Sequence, residues 1–434
     1  MAALVPQTLA QTCATINPAW QPTFAPGYSG RVVMNGLQYP RSLIFDCNGN
    51  MLTTEGGGYG VRYIQLTDNG GTDVCVKSSK QLIKDSSINH GIALTPDCKT
   101  LFVSSLTTVW SWTYDGTNGT VSNKKTVVQN MKNGGYHLSR TLLVPKANPD
   151  MLIIQRGSDG NLDAAAAQVE TARSQLRVFK IADIQAAAVD YTKGEVLAMG
   201  LRNTVGVGES PKGGIWTVDN GCDDMTRGGK DIHQENPCEE LNYHGIINDT
   251  AAAEHGKDYG YPDCYAVWEP SIIPDNANLK VGTPFVIDNA TAANTDATCQ
   301  AKMAPKLCFP SHTAPLDIKF NAKGDIGYIP FHGSWDKAKP DGFRLSKVAF
   351  DPATGMPVEP STSTTAAVNV MWNADNSQCP NKCFRPVTLA WGPKGQLFMT
   401  CDETNEIWVI GVRRLLEWKG HGYRGLLRYW IVCV

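Results

Sequence analysis

The chain has 434 residues, 42% of them hydrophobic and 18% charged, with a formal net charge of −2. That length admits one very large domain or two to three ordinary ones, and a charge this close to zero gives no field that would select nucleic acid or an anionic membrane. Glycine (41) and proline (25) are spread throughout and no apolar run reaches transmembrane length, so the chain reads as many short strands and turns.

In chain order, "MAALVPQ" reads as a mature start with an added methionine, not as a signal peptide. The first strand-like stretch is "GRVVMNG" (30–36). After it, six segments share one grammar of apolar strand, short polar turn and second strand. They are "SLIFDCNGNMLTTE" (42–55), "IALTPDCKTLFVSS" (92–105), "TLLVPKANPDMLIIQR" (141–156), "VGVGESPKGGIWTVDN" (205–220), "DIKFNAKGDIGYIPFH" (317–332) and "TLAWGPKGQLFMTCDE" (388–403). Most are followed by a further strand, such as "VRYIQL", "VWSWTYD", "LRVFKI", "FRLSKVAF" and "EIWVIGV". Only residues 161–188 show an alanine-rich, helix-like bias. The segments start 50, 49, 64, 112 and 71 residues apart, the spacing of propeller blades with insertions. The expectation is an all-β, six-bladed β-propeller with four-stranded blades and long inserted loops. It spans residues 1–411 as one domain, and "GRVVMNG" closes the ring against the last blade. The tail, 412–434, differs in composition, carries Cys433 and is assigned no function.

The first strand of a propeller blade lines the central channel, and the residues just before it surround one mouth. Those positions hold Arg41, His90, His137 with Arg140, Arg202, His312 and Arg385. Singly, each reads as a turn or surface residue. In register they read as a cationic ring, and like charges converging on one pit repel unless an anion neutralises them. Arginine forks suit carboxylates.

Thirteen cysteines without a CxxC pair argue against a zinc cluster and for disulfides in an oxidising compartment. Cys379 with Cys383, and Cys299 with Cys308, are close enough in sequence for local bridges. Sequons at Asn118, Asn248 and Asn289 agree with a secreted, extracellular glycoprotein.

"YHLSRTLLVPKANPDMLIIQRGSDGN", "LRNTVGVGESPKGGIWTVDNGCDD", "SHTAPLDIKF", "HGSWDKAKPDGFRLSKVAF" and "FRPVTLAW", in this order, resemble the pyrroloquinoline-quinone (PQQ) sugar dehydrogenases. The resemblance covers roughly residues 38–412. It is greatest to the secreted fungal auxiliary-activity group of PQQ-dependent pyranose dehydrogenases, related to sorbosone dehydrogenase and more distantly to soluble glucose dehydrogenase. PQQ is a flat tricarboxylate, an anion of the kind the ring requires.

The resemblance implies oxidation of a pyranose, a monosaccharide, at C1 to its lactone, with hydride passing to PQQ and electrons then to an external acceptor such as a cytochrome, a quinone or a copper oxygenase. It makes His137 the general base, an imidazole being free to accept a proton near neutral pH. It places Arg202 and Asn203 over the quinone, where a guanidinium stabilises developing charge. Arg41, Arg385 and His312 would hold PQQ carboxylates or ring edges, with Lys337 a further carboxylate partner. Trp335 would wall the flat cofactor, with core packing as its other reading. Calcium would take backbone carbonyls of Gly221 and Cys222, with Asp223 or Asp224 as further ligands, and act as a Lewis acid. Cys222 departs from the proline of the glucose dehydrogenase turn, a change a carbonyl ligand tolerates. No haem motif (CxxCH) is present. Two alternatives stand beside this: a calcium-dependent lactonase propeller, disfavoured by a cationic lip, and a non-catalytic carbohydrate-binding propeller, which would need equivalent pockets on each blade.

Overall fold

The computed structural model describes residues 12–131, 136–288 and 294–412. Asn289, Cys433 and all but the first residue of the tail lie outside them. Six sheets carry the architecture, antiparallel but for a short parallel edge strand in two of them, each begun by one of the six repeated hairpins and each at least four strands wide. Blade 1 runs Pro40–Phe45, Met51–Glu55, Gly60–Asp68 and Val74–Ile83. Blades 2 to 5 begin at Ile88–Leu94, Leu142–Leu143, Gly206–Glu209 and Lys319–Phe320, and blade 6 runs Pro386–Trp391, Leu397–Cys401 and Glu406–Val412. The outermost strand of blade 6 is Tyr28–Met34, paired antiparallel with Gly30 opposite Ile410 and Arg31 opposite Val409. The ring is thus closed by the expected "GRVVMNG" segment. Blades 2, 3 and 5 each gain a short fifth strand.

Strand alternation explains why the blade strands read as continuous apolar runs. Successive side chains point to opposite faces of a sheet, and both faces of a blade are buried against its neighbours. Leu152 and Ile154 face blade 2, packing with Phe102 and Val128. Ile153 between them faces blade 4, packing with Val207 and Ile215. The other four blade interfaces hold equivalent clusters. A further apolar cluster, including Cys222, Met225, Tyr261, Tyr265 and Phe285, belongs to the long insertions around blade 4.

Two expectations are corrected. Cys379 is bridged to Cys383, but Cys299 pairs with Cys264 and Cys308 with Cys238. Cys308 lies on a strand registered beside Glu240, next to Cys238, so sheet pairing selects the more distant partner. Cys13–Cys75 and Cys47–Cys98 complete the bridges among the described residues. The alanine-rich segment is not a long helix. It forms two 3₁₀ turns, the strand Gln175–Lys180 and the short helix Ile181–Ala186. Its strand, which contains the expected "LRVFKI" stretch up to Lys180, is the third of blade 3 and pairs with Met151–Arg156. Asn118 and Asn248 are exposed. No helix among the described residues is long and apolar enough to cross a membrane.

Candidate active site

A cavity of about 300 Å³ opens where blades 3, 4 and 5 meet the channel mouth. Tyr136 and His137 enter it ahead of blade 3, and Arg202 and Asn203 ahead of blade 4. Asn220, Gly221 and Asp223 come from the turn after the second strand of blade 4, and Glu239 from its third. His312 and Ala314 precede blade 5, and Trp335 follows its second strand. His312 and Ala314 hold left-handed backbone conformations, φ 59° and 51°, uncommon for such residues and typical of strained functional loops.

His137 is buried, and its Nδ1 lies 2.8 Å from Ser158 Oγ and 3.1 Å from the Ser158 carbonyl. Ser158 Oγ donates its own hydrogen to the Gly160 carbonyl at 2.7 Å, so the imidazole must be the donor at Nδ1 and its lone pair resides on Nε2. Burial, then the positive charges of Arg202 and Arg140, hold its pKa well below the ordinary value. Gly157 permits the convergence. A Cβ there would meet Asn203 Oδ1 at 2.9 Å and His137 Cβ at 3.0 Å.

Arg202 is 4% exposed. Its Nη2 donates to Asp223 Oδ2 and Asn161 Oδ1, both at 2.7 Å. Burial works against its charge, but Asp223 more than offsets this and the guanidinium pKa is raised. The Asp219 carboxylate accepts the N–H groups of Arg202 and Asn203 at 2.9 and 2.8 Å, fixing both residues at the strand entry. Burial pushes Asp219 up to about 6 despite those bonds. Asn203 Oδ1 is buried and accepts no hydrogen bond among the described residues.

His137, Arg202, Asn203, Gly221, His312 and Trp335 therefore share one cavity. Trp335 is 65% exposed, which excludes the core-packing reading. Asp223, an alternative calcium ligand, lines it too, whereas Arg41, Arg385, Lys337 and Cys222 do not. Arg41 pairs with Asp402 at 2.7 Å, and Asp402 also accepts from His332 at 2.8 Å. Arg385 donates to the carbonyls of His332 and Gly333. Lys337 reaches Glu235 at 3.3 Å and Ser311 at 3.4 Å. Cys222 is fully buried in the insertion cluster, where burial pushes its thiol up to about 12.

The lip is not the uniform cationic ring expected. Arg140 is wholly buried and donates to the carbonyls of Leu106, His137 and Ser139, a structural role. His90 lies inside the channel, beneath the mouth. Asp223 and Asp402 neutralise arginines in place. Glu239 accepts the N–H of Gly221 at 3.0 Å and of Ala314 at 3.3 Å, tying two cavity walls together. Burial pushes it up to about 8. Asp402, Glu239, Tyr136 and Ser158 were not anticipated. Tyr136 adjoins His137, so its neighbourhood was a usable signal. Glu239 sits in the polar strand "EELNYHGI", where nothing local marks it, and only its burial sets it apart.

Fold and site together define a six-bladed propeller with a polar, base-containing ligand cavity at one channel mouth. The family model TrAA12-like matches residues 22–413, and the chain belongs to this family. It is 43% identical to the pyrroloquinoline quinone-dependent sugar dehydrogenase of Hypocrea jecorina (strain QM6a), over 94% of this chain and 97% of that protein. It is 37% identical to the pyrroloquinoline quinone-dependent pyranose dehydrogenase of Coprinopsis cinerea, over 91% of this chain but only 55% of that longer protein. Among solved structures, the calcium structure of the Trichoderma reesei carbohydrate-active enzyme of family AA12 superposes with a TM-score of 0.88. It shares 44% identity, covering 93% of this chain and 99% of that one.

Proposed function

We propose that the chain is a PQQ-dependent sugar dehydrogenase that oxidises a pyranose at C1 to its lactone in an extracellular setting, with calcium as a second cofactor and an external electron acceptor. The observation that carries this reading is the meeting of His137, Arg202 and Asn203 on one cavity, in a chain so similar to sugar dehydrogenases. Five disulfides accord with the extracellular setting.

The residues present fit such a ligand. At about 300 Å³ the cavity is at the small end of ligand pockets. Its wall offers a guanidinium, an imidazole and the unsatisfied Asn203 Oδ1. Arg202, Asn203 and His312 would hold the PQQ ring and carboxylates. Arg41, Arg385 and Lys337 would serve carboxylates reaching the adjacent lip, and Trp335 would flank the flat ring. The carbonyls of Gly221 and Cys222 would hold the calcium. When bound, PQQ supplies the hydride acceptor and calcium the Lewis acid that polarises it.

The protein's own part is proton transfer and placement. Neutral His137, its Nδ1 committed to Ser158, takes the proton of the anomeric hydroxyl at Nε2 as the C1–H bond is broken. Arg202 keeps its positive charge because Asp223 compensates for burial, so a fixed guanidinium stands beside His137 in advance of the reaction, within a pair that is neutral overall. That charge also opposes protonation of the base before the sugar arrives.

The acidic and amide groups in the cavity remove the argument that a cationic lip disfavours a lactonase. Family membership is what separates the two readings. The test is spectral titration of metal-free protein with PQQ, with and without calcium, then reduction of the bound cofactor by a panel of sugars. Tight calcium-dependent binding and sugar-dependent bleaching are expected. Absence of PQQ binding, or hydrolysis of lactones without it, overturns the proposal.

A further inference from the structure

Beside the cofactor cavity, three donor groups converge without bonding to each other. His312 Nδ1 lies 3.8 Å from Asp223 Oδ1 and 4.0 Å from Asp336 Oδ2, and the three atoms lie within 4.8 Å of one another. His312 Nε2 donates to the His233 carbonyl at 2.5 Å, so in the neutral ring Nδ1 bears the lone pair. A lone pair and two carboxylate oxygens face one point, and none brings a hydrogen to it. Only 7% of His312 is exposed, and that part of the ring faces the cavity. Donors about 2.1 Å from a shared ion sit roughly 3–4 Å apart, and the two separations from His312, 3.8 and 4.0 Å, lie at the wide end of that range.

His312 and Asp223 are also held from behind, as metal ligands usually are. The His233 carbonyl sets the His312 tautomer. Arg202 and the Tyr136 hydroxyl take Asp223 Oδ2 and leave Oδ1 toward the cluster. The N–H of Asp224 donates at 3.3 Å to Asp336 Oδ2, the same oxygen that faces His312.

We propose that Asp223, His312 and Asp336 form a side-chain site for one divalent cation that binds in the absence of PQQ. It is distinct in chemistry from a calcium held by the carbonyls of Gly221 and Cys222. An imidazole with two carboxylates favours a borderline ion such as Co²⁺, Zn²⁺ or Mn²⁺ over calcium, which prefers a shell of oxygens. A second group, Asp224, His233 and Asp336, shares the Asp336 carboxylate. Its imidazole is already engaged, Nδ1 with Asp231 and Nε2 with the Gln234 amide, both at 2.5 Å. This places the ion on the His312 side.

The experiment titrates chelator-treated, PQQ-free protein with Co²⁺ and reads the visible absorption of the ion, with excess calcium present. One equivalent should bind with a nitrogen-containing ligand field. His312→Ala and Asp336→Asn should each weaken binding at least tenfold, with melting curves showing that each is folded. His233→Ala keeps the backbone carbonyl that orients His312, and with Asp224→Asn it should bind Co²⁺ like the unaltered protein. The inference is overturned by absence of Co²⁺ binding, by displacement of Co²⁺ by calcium, by unchanged affinity in folded His312→Ala or Asp336→Asn, or by loss in His233→Ala or Asp224→Asn. No PQQ or sugar enters the measurement, so its failure leaves the dehydrogenase reading untouched.

Discussion

The two sides of the channel mouth carry the same residue types and are wired differently. Beside blades 3 and 4, Arg202 is paired with Asp223, yet both line the cavity with His137 and with an Asn203 oxygen that has no partner among the described residues. Beside blades 6 and 1, Asp402 takes both Arg41 and His332, and Arg385 is spent on backbone carbonyls. The first network leaves polar groups facing a space, as a ligand site must. The second pairs most of its groups within the protein, leaving Arg41 and Arg385 only their remaining N–H groups for a ligand carboxylate. A charge at the lip is therefore informative only with its partner, since a buried pair is costly to break whether or not it serves chemistry.

If that contrast is right, substitutions on the first side should remove catalysis and those on the second should remove stability. The largest effect is expected for His137→Ala. PQQ should still bind, while single-turnover reduction by sugar should fall about 10²–10⁴-fold, the usual worth of a positioned base. A wild-type rate in the variant would move the base elsewhere.

Asp402→Asn should act mainly on the fold. Burial alone would raise the Asp402 carboxyl, but His332 and Arg41 hold it well below the usual carboxylate range. A depressed carboxylate contributes stability that is present above its unfolded pKa and lost as pH falls through the folded value. The variant should lose about 3–5 kcal/mol at neutral pH, measured by denaturant unfolding, and the loss should shrink in acid. A loss that stays constant through the acid range would contradict this assignment.

Arg202→Ala should reduce turnover at saturating PQQ by about 2–4 kcal/mol of transition-state stabilisation and also weaken PQQ binding by calorimetry. Unchanged turnover would make Arg202 structural, like Asp402. The smallest effect is expected for Ser158→Ala, which removes one acceptor from His137 but keeps the carbonyl, a change of about 1 kcal/mol. The pH profile sharpens it. Because burial and the arginines lower the His137 pKa, wild-type reduction should persist as pH falls through about 6.5 and decline only below it. An acid limb centred at the unperturbed value would show the base to be solvated.

Much of this was legible beforehand because strand order and blade phase are local properties of sequence. The hairpins from "SLIFDCNGNMLTTE" to "TLAWGPKGQLFMTCDE" each begin a blade, and position before the first strand brought His137, Arg202 and His312 to one cavity. The same rule counted Arg140 as a lip group, although its side chain turns into the wall and is fully buried. Strand phase says where a backbone enters, not which way a long flexible side chain finds its partners.

By itself, the sequence determined the all-β repeat and the local Cys379–Cys383 bridge, since each depends on residues near one another or on a fixed period, and the repeat left "GRVVMNG" as the strand to close the ring. The tertiary structure decided the rest. Cys238 and Cys308 are brought together by sheet register, Asp402 reaches Arg41 across the ring closure, and Glu239 ties Gly221 to Ala314. These contacts join residues 18 to 361 positions apart, and no local pattern encodes them. Charge compensation and burial depend on distance in space, and only the closed ring of blades sets those distances.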